Sequence, residues 1–244
     1  GTPFVDQIFE FTGCRVEWHV AEGTETVLGD RKWVKVGTVR GPTHKILRAE
    51  RVALNVLCRA SGIATVCRAM ARLARKSGWP GRVSGTRKTT PGFRLVEKYA
   101  MLVGGVDTHR MDLSSMIMLK DNHVEACGGD IGAAVYEALR VGGFAVKVEV
   151  ECQNEAEAQQ AIDAGAHIVM LDNFCAADAK AAAENLKKYS PHTIIEVSGG
   201  LTISNMAEYF HPSIDVISTS TTSQSVPHVD LSLSLLPPAS APCP

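Results

Sequence analysis

The stretch that decides the fold is Ala145-Val146-Lys147-Val148-Glu149-Val150-Glu151, because its plan returns three times further along the chain. Ile168-Val169-Met170-Leu171 ends in Asp172-Asn173. Thr193-Ile194-Ile195-Glu196-Val197 ends in Ser198-Gly199-Gly200, and Val216-Ile217 ends in Ser218-Thr219. Short apolar runs closed by polar residues read as buried strands. The four ends fall at 151, 172, 198 and 218, which is 21, 26 and 20 residues apart. Helical segments over 155–164 and 177–189 fill the gaps. Strand and helix in alternation imply a parallel sheet, since parallel strands need a crossover. Even spacing favours a closed α/β barrel, with an open sheet as the alternative. Met116-Ile117-Met118-Leu119, ending in Lys120-Asp121, is an earlier strand of the same kind.

Barrels carry their chemistry at the carboxyl ends of the strands. Here those ends offer Lys120, Glu151, Asp172, Ser198-Gly199-Gly200 and Ser218 onward. Upstream, residues 1–42 read as short strands and turns, with strands over 14–20 and 33–40. A helix over about 43–60 follows. Its apolar positions Ile46, Leu47, Val52, Leu54 and Leu57 fall in several registers, which predicts burial on more than one side. Ser61-Gly62 punctuates, and a second helix runs over 63–76.

The chain has 244 residues and a formal net charge of -1, which argues against wholesale nucleic-acid binding. No apolar run reaches the roughly 18 residues of a membrane span, and the N-terminus lacks the plan of a signal peptide. Seven cysteines without metal-ligand spacing read as reduced thiols of a cytosolic protein. The tail from Leu235 is proline-rich and is expected to be disordered. Against this neutral background, Gly85-Thr86-Arg87-Lys88-Thr89-Thr90-Pro91-Gly92-Phe93-Arg94, His109-Arg110 and Lys120 concentrate cations at turns. One reading is a clamp for a small polyanion, since arginine pairs bidentately with carboxylate and phosphate. The other is a solvated basic turn. Glu151 and Asp172 suit either magnesium or salt bridges to those cations. Ser198-Gly199-Gly200, read as opening a helix, suits a phosphate or an ordinary turn. Residues 218–225 read as a phosphate loop or a flexible linker, and Arg51 as a surface arginine.

Taken together, Glu50-Arg51-Val52-Ala53-Leu54-Asn55, Ser61-Gly62-Ile63-Ala64-Thr65, Gly85 through Gly92, His109-Arg110, Lys120-Asp121-Asn122-His123, Glu149-Val150-Glu151, Leu171-Asp172-Asn173 and Ser198-Gly199-Gly200 resemble quinolinate phosphoribosyltransferase. The resemblance implies an α/β-barrel catalytic domain over 66–226, open or closed. It also implies a smaller α/β domain over 1–65, joined by 227–244 and expected to be truncated at its N-terminus. The implied reaction is phosphoribosyl transfer to quinolinate with decarboxylation, giving nicotinate mononucleotide, pyrophosphate and CO2 in NAD biosynthesis. Its co-substrate is phosphoribosyl pyrophosphate and its cofactor Mg2+. Nicotinate phosphoribosyl transfer and a non-catalytic ligand-binding oligomer are the alternatives. Carried over residue by residue, Arg87, His109, Arg110 and Lys120 bind the quinolinate carboxylates. Lys88 and Lys120 hold pyrophosphate, and Glu151 and Asp172 bind the ribose or magnesium. Ser198, Gly199, Gly200 and Ser220 surround the 5′-phosphate, although the family carries glycine where this chain has Ser220. Lys88, Lys120, Glu151 and Asp172 are the implied catalytic residues. Arg51 is implied to reach the site of a neighbouring copy in a cytoplasmic homodimer or larger homo-oligomer.

Overall fold

In the computed structural model, which describes residues 1–236, the chain forms two compact units. One comprises Gly1–Gly62 with the segment from Pro227; the other is Ile63–Val226. Most of the tail expected to be disordered lies outside the described residues.

The smaller unit departs from the strands-and-turns expectation at its start. Thr2–Phe11 is a helix, α1. Pro3 sits in its first turn, where a missing N–H costs nothing. Val5 and Phe9, four residues apart, form its buried stripe. β1 (Arg15–Trp18) and β2 (Gly37–Arg40) pair antiparallel, so the second strand is half the length its sequence suggested. Val5, Phe9 and Cys14 pack with Ile46, Ala49 and Ala53.

Those last three belong to α2, which runs unbroken from Thr43 to Lys76. Burial on more than one side holds in part here, and the break at Ser61-Gly62 does not occur. The main buried stripe is Ile46, Ala49, Ala53, Val56, Ala60, Ile63, Cys67, Met70 and Ala74, at helical spacing; Leu54 and Ala71 are buried beside it, while Leu47 and Val52 are half exposed. Alanines share the packed face with Ile46, Val56, Ile63 and Met70. And Gly62 does not end the helix: a Cβ there would stand 2.1 Å from the carbonyl oxygen of Pro227. The glycine serves a close approach rather than a break. By length and composition alone this helix also passes as a membrane span.

The larger unit is a parallel sheet of six strands in the order β3-β8-β7-β6-β5-β4. The strands are β3 (Arg82–Ser84), β4 (Ile117–Leu119), β5 (Val148–Cys152), β6 (Ile168–Asp172), β7 (Ile194–Ser198) and β8 (Val216–Ser218). Helices α3 (Arg94–Gly104), α4 (Asp121–Ala126), α5 (Ile131–Gly142), α6 (Glu155–Asp163) and α7 (Ala176–Tyr189) lie between them. The ladder is open rather than closed, with β3 and β4 at its edges. The even spacing holds only over β5 to β8. The link from β3 to β4 adds an irregular stretch after α3, which reaches the sheet through one bridge, Asp107 to Ser84.

Register divides the sheet into two unlike faces. Parallel partners point the same way, and side chains alternate along each strand. One face holds Val83, Leu119, Val148, Val150, Cys152, Val169, Leu171, Ile195, Val197 and Ile217, all buried and apolar. The other holds Ser84, Met118, Glu149, Glu151, Met170, Asp172, Glu196, Ser198 and Ser218.

Candidate active site

The loop after β3 is braced from three sides. Glu97, buried in α3, accepts from the backbone N–H of Thr90 (3.1 Å) and from its hydroxyl (2.7 Å). Arg94 donates to the Thr89 hydroxyl at 3.1 Å and to the Arg87 carbonyl at 3.3 Å. Ser223 donates to the Lys88 carbonyl at 3.1 Å. The basic turn is therefore a braced cradle, with Lys88, Thr90, Pro91 and Gly92 still exposed. It holds Arg87 half-buried, with its Nε–H enclosed and lacking an acceptor among the described residues, while Lys88 is exposed.

Around it stands a field of like charge. Lys98 is 3% exposed and donates to the Thr108 carbonyl. Burial first, then Arg94, Arg87 and Arg110, push its amine down to about 8. Burial and then Arg87 also lower Arg110, opposed by Glu149 and Glu196. Arg110 donates to the Met116 carbonyl at 3.3 Å and also contacts the Met118 sulfur. Arg87, Arg110 and Lys98 thus share one neighbourhood, and Lys98 is a cation that its position inside a helix concealed.

Beneath lies an acidic floor that sequence reasoning also missed. Glu149 and Glu196 are 0% and 2% exposed. Burial, then Glu196, raise the Glu149 carboxyl well above the usual carboxylate range. Neither Glu149 oxygen has a hydrogen-bond partner among the described residues. His109 reaches this floor: its Nε2 lies 3.2 Å from both oxygens of Glu196 and 3.8 Å from Glu149. The signal was available, since two acids sat inside apolar strands and not at their ends.

Lys120, at the end of β4, pairs with Glu151 at the end of β5. For Glu151, the salt-bridge alternative is what the structure contains. Asp172 is half-buried and accepts from the side-chain amide of Asn173 at 2.6 Å. Gly199 and Gly200 adopt φ of +108° and +61°. A Cβ on Gly199 would fall 2.3 Å from Asn173 Oδ1, so this turn needs glycine. It leads into a turn and a short 3-10 helix, Met206–Tyr209, not the α-helix expected after Ser198. A helix dipole therefore adds nothing to an anion there. Nor is 218–225 a flexible linker. Ser218, Thr219, Thr222 and Ser223 are buried, and Thr219 donates to the Leu201 carbonyl at 2.6 Å. Ser220 opens a 3-10 turn, Ser220–Thr222. It is not among the non-glycine residues with positive φ, which are His109, Asn173 and Ser225 among the described residues, so its Cβ carries no backbone strain. Arg51 is exposed on α2 in the smaller unit. Cys67 and Cys152 are buried, their thiols pushed up to about 12, which rules them out as nucleophiles.

A parallel α/β domain with acids and cations at its strand ends, facing an arginine-rich cradle, is the architecture of an enzyme acting on anionic substrates. The quinolinate phosphoribosyl transferase C-terminal domain pattern matches residues 63–234, and the N-terminal domain pattern matches 1–61. The chain belongs to the quinolinate phosphoribosyltransferase family. It is 48% identical over 244 residues to the human nicotinate-nucleotide pyrophosphorylase [carboxylating], covering 100% of this chain and 80% of that one. The Dictyostelium discoideum protein of the same name is 46% identical over 96% of this chain and 82% of its own. Among solved structures, NadC from Streptococcus pyogenes superposes with a TM-score of 0.83 at 32% identity, covering 94% of this chain and 79% of that one. The nicotinate-nucleotide pyrophosphorylase from Francisella tularensis gives 0.84 at 31%, over 94% and 79%.

Proposed function

We propose that this chain transfers phosphoribose from phosphoribosyl pyrophosphate to quinolinate and releases CO2, forming nicotinate mononucleotide for NAD synthesis. The observation that carries this reading is the enclosed, unmatched Nε–H of Arg87 among Arg94, Lys98 and Arg110. A buried donor without an acceptor is costly, and a dicarboxylate supplies the missing acceptors.

In this reading Arg87, Arg110 and Lys120 take the two carboxylates, and Lys88, exposed at the rim, takes the pyrophosphate. Ser198, Gly199, Gly200 and Ser220 surround the 5′-phosphate with backbone and hydroxyl donors. The C1′–O bond to pyrophosphate breaks as the pyridine nitrogen bonds to C1′. The ring then carries positive charge next to the 2-carboxylate. The bond to that carboxylate breaks, CO2 leaves, its electron pair stays on the ring carbon, and that carbon takes up a proton. The protein supplies alignment and charge compensation, both large effects. Glu151 and Asp172 share the inward face of adjacent strands and offer hard oxygens, which suits magnesium bound partly through substrate phosphates. When bound, magnesium would withdraw charge from the departing pyrophosphate. Arg51 would act in the site of a neighbouring copy, in a cytoplasmic homo-oligomer.

The test is pyrophosphate and CO2 release with quinolinate, beside nicotinate as control. Quinolinate-dependent release of both, abolished in Lys120→Ala, is expected. Turnover of nicotinate instead, or binding of quinolinate without turnover, would overturn the reading.

A further inference from the structure

His109 holds an uncommon backbone conformation, and both of its ring nitrogens have partners. Its φ is +56°, in the left-handed region that a side chain adopts at a cost. Two hydrogen bonds hold it there. The backbone N–H of Arg110 donates to Nδ1 at 2.8 Å. Nδ1 therefore presents a lone pair, and a neutral ring must carry its proton on Nε2. That Nε2–H faces Glu196, 3.2 Å from each oxygen. The tautomer is fixed from both ends.

Two alternative roles fail on this ground. His109, Glu149 and Glu196 place ligand atoms within 4.8 Å of one another, the spacing of a metal site. A metal needs a lone pair on Nε2, and the Arg110 N–H leaves a proton there. Direct binding of a substrate carboxylate needs a free ring N–H, and the only one is spent on Glu196.

We propose that His109 is a positioning residue: its tautomer-locked bridge from the Arg110 backbone to Glu196 holds the Arg110 guanidinium at the site, and its ring makes no hydrogen bond to substrate. The bridge is short and stiff. It fastens the irregular segment after α3, which carries the arginine, to a residue in the middle of β7. Two of the Arg110 guanidinium nitrogens are already oriented by Met116 and Met118, so fixing the backbone fixes the group that meets the anion. This inference rests on the proposed quinolinate reading for its catalytic consequence, but not for its structural content.

The experiment therefore has a ligand-free arm. In protein labelled with 15N-histidine and assigned through His109→Gln, the His109 ring is expected to show an unprotonated Nδ1 and a protonated Nε2. That pattern should persist when quinolinate is added. The kinetic arm compares His109→Ala, Glu196→Ala and the double variant. A misplaced arginine should cost on the order of 10²-fold in kcat/KM. The double variant should lose no more than either single one, and Glu196→Gln, which keeps an acceptor, should recover much of what Glu196→Ala loses. Folding is checked by thermal melts. A proton on Nδ1, a quinolinate-induced change at Nε2, or additive losses would overturn the proposal. Absence of turnover in the parent would sink the proposed function and leave the ligand-free spectrum to decide this inference alone.

Discussion

The cationic cradle and the acidic floor meet at Arg110, which feels both Arg87 and the pair Glu149 and Glu196, and each buries polar atoms without partners among the described residues. At the cradle the orphan is a donor, Arg87 Nε; at the floor the orphans are the acceptors of Glu149. An arginine keeps its proton at any pH of interest, so it needs an acceptor from outside itself, which an incoming anion would supply. A carboxyl can satisfy itself by taking up a proton, which is the direction in which burial and Glu196 drive Glu149. The difference separates a region made for ligand from a region made for support.

Arg87→Ala should break the comparison most severely. Charge-assisted hydrogen bonds are worth about 1.5–3 kcal/mol each, so loss of a paired guanidinium should lower kcat/KM for quinolinate by roughly 10²-fold or more. Steady-state kinetics checks this, with the melting temperature barely moved. Lys98→Met comes next. Below pH 8 the native state holds this amine charged against its surroundings, and folding bears the cost. Between about 8 and the usual 10.5 the unfolded chain binds more protons, so stability rises with pH. The variant should be more stable than the parent at pH 7, by at most about 3 kcal/mol at 1.36 kcal/mol per pKa unit. The gain should shrink by pH 10, and quinolinate should bind it more weakly. Denaturant melts at the two pH values and calorimetry decide the matter. Glu149→Gln is the smallest change. A carboxyl whose folded pKa is raised binds its proton more tightly in the native state, so stability falls as pH rises above the ordinary carboxylate value. The amide removes that fall and should add on the order of 1 kcal/mol at pH 7. A stability curve parallel to the parent's between pH 4 and 7 would mean that Glu149 is already satisfied.

The strands from β5 to β8 were legible because each is a buried run closed by a polar residue. The cations at 87, 110 and 120 were legible because turns concentrate them. The supporting chemistry was hidden. Glu149 and Glu196 were not singled out, since which face of a strand a residue shares with others depends on register with its neighbours. Lys98 and Glu97 lie in a helix that the sequence reading did not single out, and both are buried. Helix α1 escaped notice because only two residues of its ten define the packed stripe.

Gly62 reverses a rule of protein hardening. Replacing a helical glycine by alanine ordinarily stabilises by about 0.5–1 kcal/mol. Here the missing methyl is the seat of the Pro227 carbonyl, and at Gly104 a Cβ would stand 2.4 Å from that of Cys67. A thermostabilisation campaign guided by helix propensity alone would choose both positions first and be punished at both.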